Sequence, residues 1–392
     1  MRFPGFTDEW KKTTLGNCTE RLCNGLTYDT TITQGIKVSR IETIHNRSID
    51  YQRVGFYNGY IDKVSDYIMK SGDILFSHIN SLSHMGKTAI YQGEEPLIHG
   101  MNLLLLRCKP TINPYFLYYL LNTKKLSSRF QIIAKPAVNQ ASISTSDLKK
   151  ENICICEIQE QDKIASLLQL VDERIATQNK IIDNLQSLIK GLIQHLVHVG
   201  LEKGTWHNVM LSEVLQERNE LNKEYYPVHS VSVSVGIVNQ IEYLGRSFAA
   251  KDTAHYHVVR YGDIVYTKSP TGNQPYGIIK QSFCQNPVAV SPLYGVYDPI
   301  SFEIGNILHY YFLNPPNTNN YLLPLIQKGA KNTINITNRR FLENSIPLPI
   351  SSDEIISVSK TLSSLSSKIE LENNTLDSLL IQKRYLLNQL FI

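Results

Sequence analysis

Two polar loops of this 392-residue chain contain residue types suited to binding nucleic acid. Each loop follows a Gly-Asp-Ile segment. The residues concerned are His78, Asn80, Ser81, Ser83 and Lys87 in the first loop, and Lys268, Ser269, Thr271, Asn273 and Gln274 in the second. Lysine can bind guanine or phosphate, asparagine and glutamine can pair with adenine, and hydroxyl groups can serve either purpose. Because the loops occupy equal places in a repeat yet differ in sequence, we predict that they read different DNA sequences.

A second polar cluster follows later in each half of the chain. Its members are Lys135, Asn139, Gln140, Ser142 and Ser144 in the first half, and Lys328, Lys331, Asn332, Asn335, Thr337, Arg339 and Arg340 in the second. Ser144 and Thr337 are also good helix N-caps, so each cluster could simply be a capped loop that enters a helix. Both interpretations can hold together, because a helix N-terminus also receives phosphate. We therefore predict that all members except the two caps bind DNA.

Segments that resemble catalytic motifs are incomplete. Residues 84–88, His-Met-Gly-Lys-Thr, resemble the end of a phosphate-binding loop, but Ser81 stands where a glycine is required. Residues 314–317, Asn-Pro-Pro-Asn, resemble a motif with which amino-methyltransferases hold an extruded adenine, but the fourth residue is not aromatic, and a proline-rich turn closing a helix is the simpler interpretation. The six cysteines lack zinc-site or disulfide spacing. We predict no catalytic residue, no metal site and no cofactor in this chain.

The elements that carry the polar loops occur twice. The similar segments are residues 10–16 and 206–212, 72–77 and 262–267, and 139–148 and 331–341. Trp206 lies 196 residues after Trp10, Gly262 lies 190 after Gly72, and Ile336 lies 193 after Ile143. Solenoid repeats are only roughly 20–50 residues long. The longer period therefore predicts a duplicated domain.

Apolar residues recur with a 3.5-residue period towards the end of each copy. The heptad positions a and d are Leu168, Val171, Ile175, Ile182, Leu185, Ile189, Leu192 and Leu196, and then Leu362, Leu365, Ile369, Leu376, Leu379, Leu386 and Leu390. Adding 194 to the first set gives the second, except that Lys383 replaces Ile189. An amphipathic helix lying on its own domain usually has a wider apolar stripe. The strict period instead predicts a coiled coil in which the two helices of this chain bury their seams against each other, a spacer of roughly 42 Å. With a pseudo-dyad between the two halves, we expect this intramolecular pair to be antiparallel.

The rest of the chain predicts two mixed α/β (α+β) domains in tandem. Expected strands are 72–76, 103–107, 263–266 and 276–279, and expected short helices are 114–121 and 307–313. The predicted organisation is a first domain at 1–156, a helical spacer at 157–199, a second domain at 200–352 that begins with a linker at 200–204, and a C-terminal helical spacer at 353–392.

The charge of the chain is unevenly distributed. The total is +4, and because the two helical segments carry −2 and −1, the remaining parts carry +7. Basic globular parts fit a polyanionic partner, although this excess is modest. The chain has no apolar run of signal-peptide type, and none approaches the roughly 18 residues needed to cross a bilayer. We therefore expect a cytoplasmic protein with reduced cysteines.

Together, these features resemble the specificity subunits of type I restriction-modification systems. The resemblance covers essentially the whole chain and rests on Arg2-Phe-Pro-x-Phe6 with Trp10, the two Gly-Asp-Ile strands, the two Asn/Ile-Ser/Thr segments and the two long helices. The chain departs from the family in two places. It lacks the residues usually found before Arg2. The family commonly has a basic residue shortly after Gly-Asp-Ile, and the second copy keeps it as Lys268, whereas the first copy has His78 there. The resemblance implies two target recognition domains, each reading half of a split, asymmetric DNA site, with helices that hold the spacing.

The resemblance also implies the partners of the chain. These are double-stranded DNA, two methyltransferase (modification) subunits and two restriction subunits with translocase and nuclease activity. S-adenosylmethionine, ATP and Mg are expected on the partner subunits, which extrude and methylate an adenine in each half-site. Two alternatives remain open from the residues: a non-catalytic protein-assembly scaffold with two protein-binding domains, and a self-sufficient DNA adenine methyltransferase that uses residues 314–317.

Overall fold

The computed structural model describes residues 2–136, 140–246, 250–268, 271–328 and 334–391, with the side chains of residues 136, 244, 328, 334 and 335 left out. The chain divides into two compact units. Unit 1 consists of Met1–Gln178 and Thr375–Ile392, and unit 2 consists of Asn179–Asn374. Each unit therefore combines one globular part with portions of both long helical segments.

Unit 1 begins with short strands and ends in a long helix. Its strands are β1 (Lys11–Thr14), β2 (Thr19–Asn24), β3 (Ile36–Val38), β4 (Ile44–His45), β5 (Ser48–Ile49), β6 (Gly55–Tyr57), β7 (Ile74–Phe76), β8 (Ile79–Asn80), β9 (Thr88–Ile90), β10 (Leu104–Cys108), β11 (Lys135–Pro136), β12 (Ala141–Ser142) and β13 (Asn152–Ile155). Its helices are α1 (Leu15–Cys18), α2 (Pro114–Leu121), α3 (Lys124–Ile133), α4 (Thr145–Lys149) and α5 (Ile158–Lys203), which continues into unit 2. Short 3-10 turns lie at Ile41–Thr43, Ile61–Tyr67 and Leu82–His84.

The central sheet of unit 1 is antiparallel, with strand order β2-β10-β7-β9. Strand β7 is buried on both faces, because Ile74 and Phe76 lie in one apolar core and Leu75 lies in another. A strand that is covered on both faces has consecutive apolar residues rather than alternating ones, and Ile74–Phe76 has this pattern. Outside this sheet, β1 pairs with β13, and β11, β12 and β8 form a small three-stranded sheet.

Unit 2 contains a second set of similar elements. Its strands are β14 (Trp206–Met210), β15 (Leu215–Glu217), β16 (His229–Ser232), β17 (Gly236–Asn239), β18 (His257–Val259), β19 (Ile264–Thr267), β20 (Ile278–Gln281), β21 (Val288–Val290), β22 (Gly295–Pro299), β23 (Gln327–Lys328), β24 (Ile334–Asn335) and β25 (Ser345–Pro349). Its helices are α6 (Leu211–Val214), α7 (Gln240–Leu244), α8 (Phe302–Tyr311), α9 (Pro315–Leu322), α10 (Asn338–Phe341) and α11 (Ser352–Leu390), which continues into unit 1. A 3-10 turn lies at Leu323–Leu325.

The two units share one topology. The order β15-β22-β19-β20 repeats β2-β10-β7-β9, β14 pairs with β25 as β1 pairs with β13, and β23 pairs with β24 as β11 pairs with β12. The predicted tandem of mixed α/β domains is therefore confirmed. The helix predicted at residues 307–313 begins earlier in the structure, since α8 starts at Phe302. The Ser301 side chain caps this start by accepting a hydrogen bond from the Ile304 amide.

The predicted linker at residues 200–204 is wrong over most of its length. Helix α5 continues to Lys203, and Gly200 lies inside it. A Cβ atom at Gly200 would overlap the indole ring of Trp206, so glycine is needed there for close packing rather than for a turn. The chain turns only at Gly204, whose φ of 70° favours glycine.

In unit 1, the portions of α5 and α11 run antiparallel. Leu168 of α5 and Leu390 of α11 lie in the same apolar core. Further along α5, Asp172 Oδ1 lies 2.5 Å from Nζ of Lys383, which precedes Leu390 in α11. Later residues of one helix therefore meet earlier residues of the other.

The heptad seam agrees with the burial of both helices. In unit 2, Ile189 and Ile193 of α5 share a core with Val358 and Leu362 of α11. All fifteen predicted seam residues are buried or half-buried. The predicted antiparallel intramolecular coiled coil is confirmed.

The aspartate of each Gly-Asp-Ile segment is held by a guanidinium group. Asp73 is buried and binds Arg107 of β10 through two hydrogen bonds of 2.7 and 2.6 Å. Asp263 is also buried and binds Arg218, which follows β15, at 2.8 and 3.0 Å. In the sheet of unit 2, the position equivalent to Arg107 is occupied by Asp298 of β22, whose Oδ2 atom lies 2.9 Å from Arg218 Nη2. The equivalent buried carboxylates of the two units are therefore paired with arginines that come from different parts of the sheet.

Candidate nucleic-acid interface

A small sheet joins the two polar clusters of unit 1. Backbone pairing places Asn80 of β8 opposite Ala141 of β12. On the other side of β12, Ser142 lies opposite Lys135 of β11. The predicted residues Asn80, Ser142 and Lys135 therefore lie on three adjacent strands, and exposed Gln140 immediately precedes the middle one.

The first loop of unit 1 is closed at its base. The Ser77 amide donates to the Lys87 carbonyl at 2.8 Å, and the Gly86 amide donates to the Ser77 carbonyl at 2.9 Å. Within the loop, the Asn80 side chain donates to Ser77 Oγ at 3.1 Å and accepts from the Ser81 amide at 2.8 Å. These bonds hold Asn80 in place, and the Lys87 side chain at the base of the loop is exposed.

The tip of this loop carries a cluster of hydroxyl groups around an imidazole ring. Ser81 Oγ lies 2.9 Å from His84 Nδ1, Ser83 Oγ lies 3.3 Å from the same nitrogen, and the two hydroxyls are 3.2 Å apart. All three side chains are exposed. Such groups can donate to phosphate oxygens or exchange hydrogen bonds with base edges. His84 was absent from the predicted DNA-binding residues, because only the folded turn brings it against the serines.

The second cluster of unit 1 caps a short helix. Ser144 Oγ accepts a hydrogen bond from the Asp147 amide at 3.0 Å, so its predicted role as an N-cap is confirmed. Lys135 Nζ lies 3.2 Å from Asp147 Oδ2. Hydrogen bonds from Ser144 and then Lys135 lower the pKa of Asp147. Because Lys135 remains largely exposed, this surface ion pair leaves its ammonium group accessible to other anions.

The corresponding loop of unit 2 is a tight hairpin. Thr271 and Gln274 exchange backbone hydrogen bonds of 3.1 and 2.9 Å. Exposed Asn273 accepts a hydrogen bond of 3.4 Å through its carbonyl oxygen from the Asn319 side chain of α9. Lys268 is half-buried at the start of the loop, and burial lowers its pKa. Sequence reasoning missed Asn319, which reaches the loop from a distant helix.

The second cluster of unit 2 is described in part. Thr337 accepts a hydrogen bond from the Arg340 amide at 3.2 Å, which confirms the predicted cap of α10. Arg339 is exposed, whereas Arg340 is half-buried and donates to the Leu325 carbonyl at 2.9 Å. Asn139, Ser269, Lys331 and Asn332 lie outside the described residues, and Lys328 and Asn335 are described only by their backbone in β23 and β24.

Two predicted DNA-binding residues are buried. His78 is 6% exposed, and burial lowers its pKa to about 4. Gln274 is 3% exposed. Both lie where the chain leaves or rejoins the central sheet, so their side chains turn inward and cannot reach DNA in this conformation. DNA contact by the exposed members of the set stays a prediction.

Residues 314–317 form the start of a helix rather than a catalytic loop. Pro315 opens α9, which corrects the prediction of a turn that closes a helix. Asn314 is buried, and its amide nitrogen has no hydrogen-bond partner. The Asn317 side chain donates to the Tyr311 carbonyl at 3.0 Å. Both side chains therefore face protein, which gives no support to an adenine-holding role.

Among the residues that the structure describes, no group of three or more His, Cys, Asp or Glu side chains could hold a metal ion. No helix in the same residues is long and apolar enough to span a membrane.

Comparison with known proteins gives one family model that matches the first half of the chain and one curated relative that matches 226 of its residues. A family model described as the type I restriction modification DNA specificity domain matches residues 8–187. The putative type I restriction enzyme MjaX specificity subunit of Methanocaldococcus jannaschii is 39% identical over 226 residues, which cover 56% of this chain and 53% of that protein. The chain thus spans about half the length of this curated relative.

Solved structures match over nearly the whole chain and show the same fold. The S subunit of a type I restriction-modification system from M. genitalium superposes with a TM-score of 0.59 and 17% identity, covering 98% of this chain and 96% of that one. A structure described for complex assembly and conformational transition of the type I R-M system gives a TM-score of 0.52 and 14% identity, covering 99% and 98%.

Proposed function

We propose that this chain, whose residues 8–187 match the type I restriction modification DNA specificity domain, is the sequence-specific DNA-binding subunit of a type I restriction-modification complex. In this proposal the globular part of each unit reads one half of a bipartite, asymmetric DNA site. The duplicated topology, with different polar loops at equal places, is the observation that carries the proposal.

The chemistry of the two loops supports separate reading. The loop of unit 1 offers Ser81, Ser83 and Lys87 from an exposed tip and base. The loop of unit 2 offers Thr271 and Asn273 from a tight hairpin. Hydroxyl and ammonium groups suit phosphate or guanine, whereas an asparagine side chain suits adenine. Two scaffolds of one topology would therefore select different base sequences.

We infer that the chemistry on DNA belongs to partner subunits. Two modification subunits would carry S-adenosylmethionine and methylate one adenine in each half-site, and two restriction subunits would carry ATP and Mg. This chain would contribute recognition and no catalytic group. Because α5 and α11 each continue from one unit into the other, we propose that the length of these helices determines the spacer between the half-sites.

Domain exchange tests this proposal directly. The chain is co-expressed with its methyltransferase partner, and methylated adenines are mapped across the genome by single-molecule sequencing. Replacing residues 200–352 by the corresponding segment of another family member should change one half of the methylated motif and leave the other half and the spacer unchanged. Replacing residues 1–156 should change the opposite half, which provides the matched control. A change of both halves by either exchange would contradict two independent readers.

Salt dependence distinguishes DNA binding from a protein-assembly scaffold. When the logarithm of DNA affinity is plotted against the logarithm of salt concentration, the line falls with a slope of about −0.9 for each phosphate that a lysine neutralises. Lys87→Ala should therefore weaken binding of a duplex that contains the mapped motif and reduce this slope by about one. Lys11→Ala removes an exposed lysine on β1, away from the loops, and should change neither quantity. Binding that does not weaken with salt would favour the scaffold.

A further inference from the structure

A charged cluster lies beside the helix seam of unit 1. Lys383 Nζ of α11 lies 2.5 Å from Asp172 Oδ1 of α5. The buried Tyr119 of α2 donates its hydroxyl to Asp172 Oδ2 at 2.7 Å, and the same ammonium group lies 5.9 Å from the centre of the Tyr119 ring. The carboxylate thus has two partners, one from the globular part and one from α11.

The charged pair of this cluster has no counterpart at the equivalent positions of unit 2, where Ser366 instead interacts with the hydroxyl of the buried Tyr310 of α8. Counting 194 residues along the repeat, Ile189 corresponds to Lys383 and Ser366 corresponds to Asp172. One other seam position is polar in both helices, with Gln178 in α5 and Glu372 in α11. The remaining seam positions are apolar in both. Lys383 therefore marks the seam position at which a charged residue of α11 replaces an apolar residue of α5.

This difference matters because the duplicated chain has a competing way to assemble. A second copy could supply the end of its own α5 where unit 1 normally receives the end of α11. In that register Ile189 of the second copy would face Asp172, and Ser366 would face Lys383. Each such dimer would lose two ion pairs and leave two carboxylates beside apolar side chains, which is unfavourable.

We propose that Tyr119, Asp172 and Lys383 form a pairing determinant, which selects α11 as the partner of α5 in unit 1 and rejects the α5 helix of a second copy. A polar contact in an otherwise apolar seam specifies which helices pair, because only one alignment satisfies both groups. The inference concerns assembly of the chain itself and does not depend on the proposed function.

The test makes the two units alike at this position. The variant Asp172→Ser with Lys383→Ile gives unit 1 the same pair of residues that unit 2 has. Two differently tagged copies of the full chain are unfolded together, refolded at high protein concentration, and the fraction of doubly tagged particles is measured. We expect this fraction to rise about tenfold over that of the unchanged chain, because two partly exposed ion pairs no longer oppose the exchange.

Two further variants serve as controls. Arg384→Ile removes a neighbouring exposed cation and should leave the doubly tagged fraction unchanged. Asp172→Lys with Lys383→Asp restores opposite charges in reversed order and should also stay near the unchanged value. If the Asp172→Ser, Lys383→Ile chain showed no rise, or if the charge-reversed chain folded with an equal rise, the pairing determinant would be refuted.

Discussion

Arg107→Ala is expected to lower the free energy of unfolding of unit 1 by about 3–5 kcal/mol, because it leaves a buried carboxylate without its cation. Asp73 is 1% exposed and Arg107 is 16% exposed, so the carboxylate is shielded from bulk solvent. The remaining bond to Asp73, from the Lys70 amide at 2.7 Å, satisfies one oxygen only. The Gly-Asp-Ile motif therefore requires its arginine.

Denaturant unfolding followed by tryptophan fluorescence measures this effect. The chain has two tryptophans, Trp10 in unit 1 and Trp206 in unit 2, so a Trp206→Phe background reports unit 1 alone. Adding Asp73→Asn to Arg107→Ala removes the unpaired charge and should restore part of the lost stability. If the double variant were no more stable than Arg107→Ala, the buried charge would not be the cause.

A surface pair of the same residue types provides the control. Arg53 Nε lies 3.1 Å from Asp50 Oδ2, and the arginine side chain is 52% exposed. Solvent and salt screen this interaction, so Arg53→Ala should cost less than about 1 kcal/mol. Similar losses for Arg53→Ala and Arg107→Ala would show that burial does not decide the outcome.

Leu379→Asp is expected to lower the stability of unit 1 by at least about 3 kcal/mol, since truncation of a buried leucine alone costs about 2–5 kcal/mol. Leu379 is 6% exposed on the seam face of α11. The substitution also places a carboxylate in an apolar seam, where desolvation adds a further cost. The measurement is the denaturant midpoint of the full chain, with helix content followed by circular dichroism.

The next residue of the same helix is the matched control. Leu380 is 42% exposed, so Leu380→Asp should lose little apolar contact and keep its new charge in water. Leu185→Asp provides an intermediate case in unit 2, because Leu185 is half-buried. The expected order of destabilisation is therefore Leu379, Leu185 and then Leu380. Equal effects at Leu379 and Leu380 would contradict the position of the seam.

The helices could be predicted from sequence because their pattern is local and long. A strict a/d period repeated over several heptads leaves few other structures, and both seams lie where it predicts. The end of α5 could not be predicted in this way. Gly200 resembles a helix stop, but its role is set by Trp206, which packs against it only in the folded unit. A tertiary contact thus overrode a local signal.

The polar loops were harder to predict, because exposure at a strand end depends on how the chain turns. His78 and Lys268 occupy equivalent positions, yet His78 is buried and Lys268 is half-buried. The pairing of β8 with β12, which brings Asn80 close to Ser142, joins segments that no local pattern connects. The arginine partners of Asp73 and Asp263 were likewise missed, because they come from different strands of the two copies.

The core of unit 1 also has a consequence for the order of events on the ribosome. The ring of Phe391 lies 6.2 Å from that of Trp10 and 5.3 Å from that of Phe116, and Leu387 and Leu390 belong to the same core. The N-terminal domain usually folds first during synthesis. Here the opening domain must wait, with part of its apolar surface uncovered, until the last turns of α11 have emerged, whereas unit 2 can close as soon as the first half of that helix is available. The strands at the beginning of the chain therefore keep part of their apolar surface uncovered long after they have been synthesised.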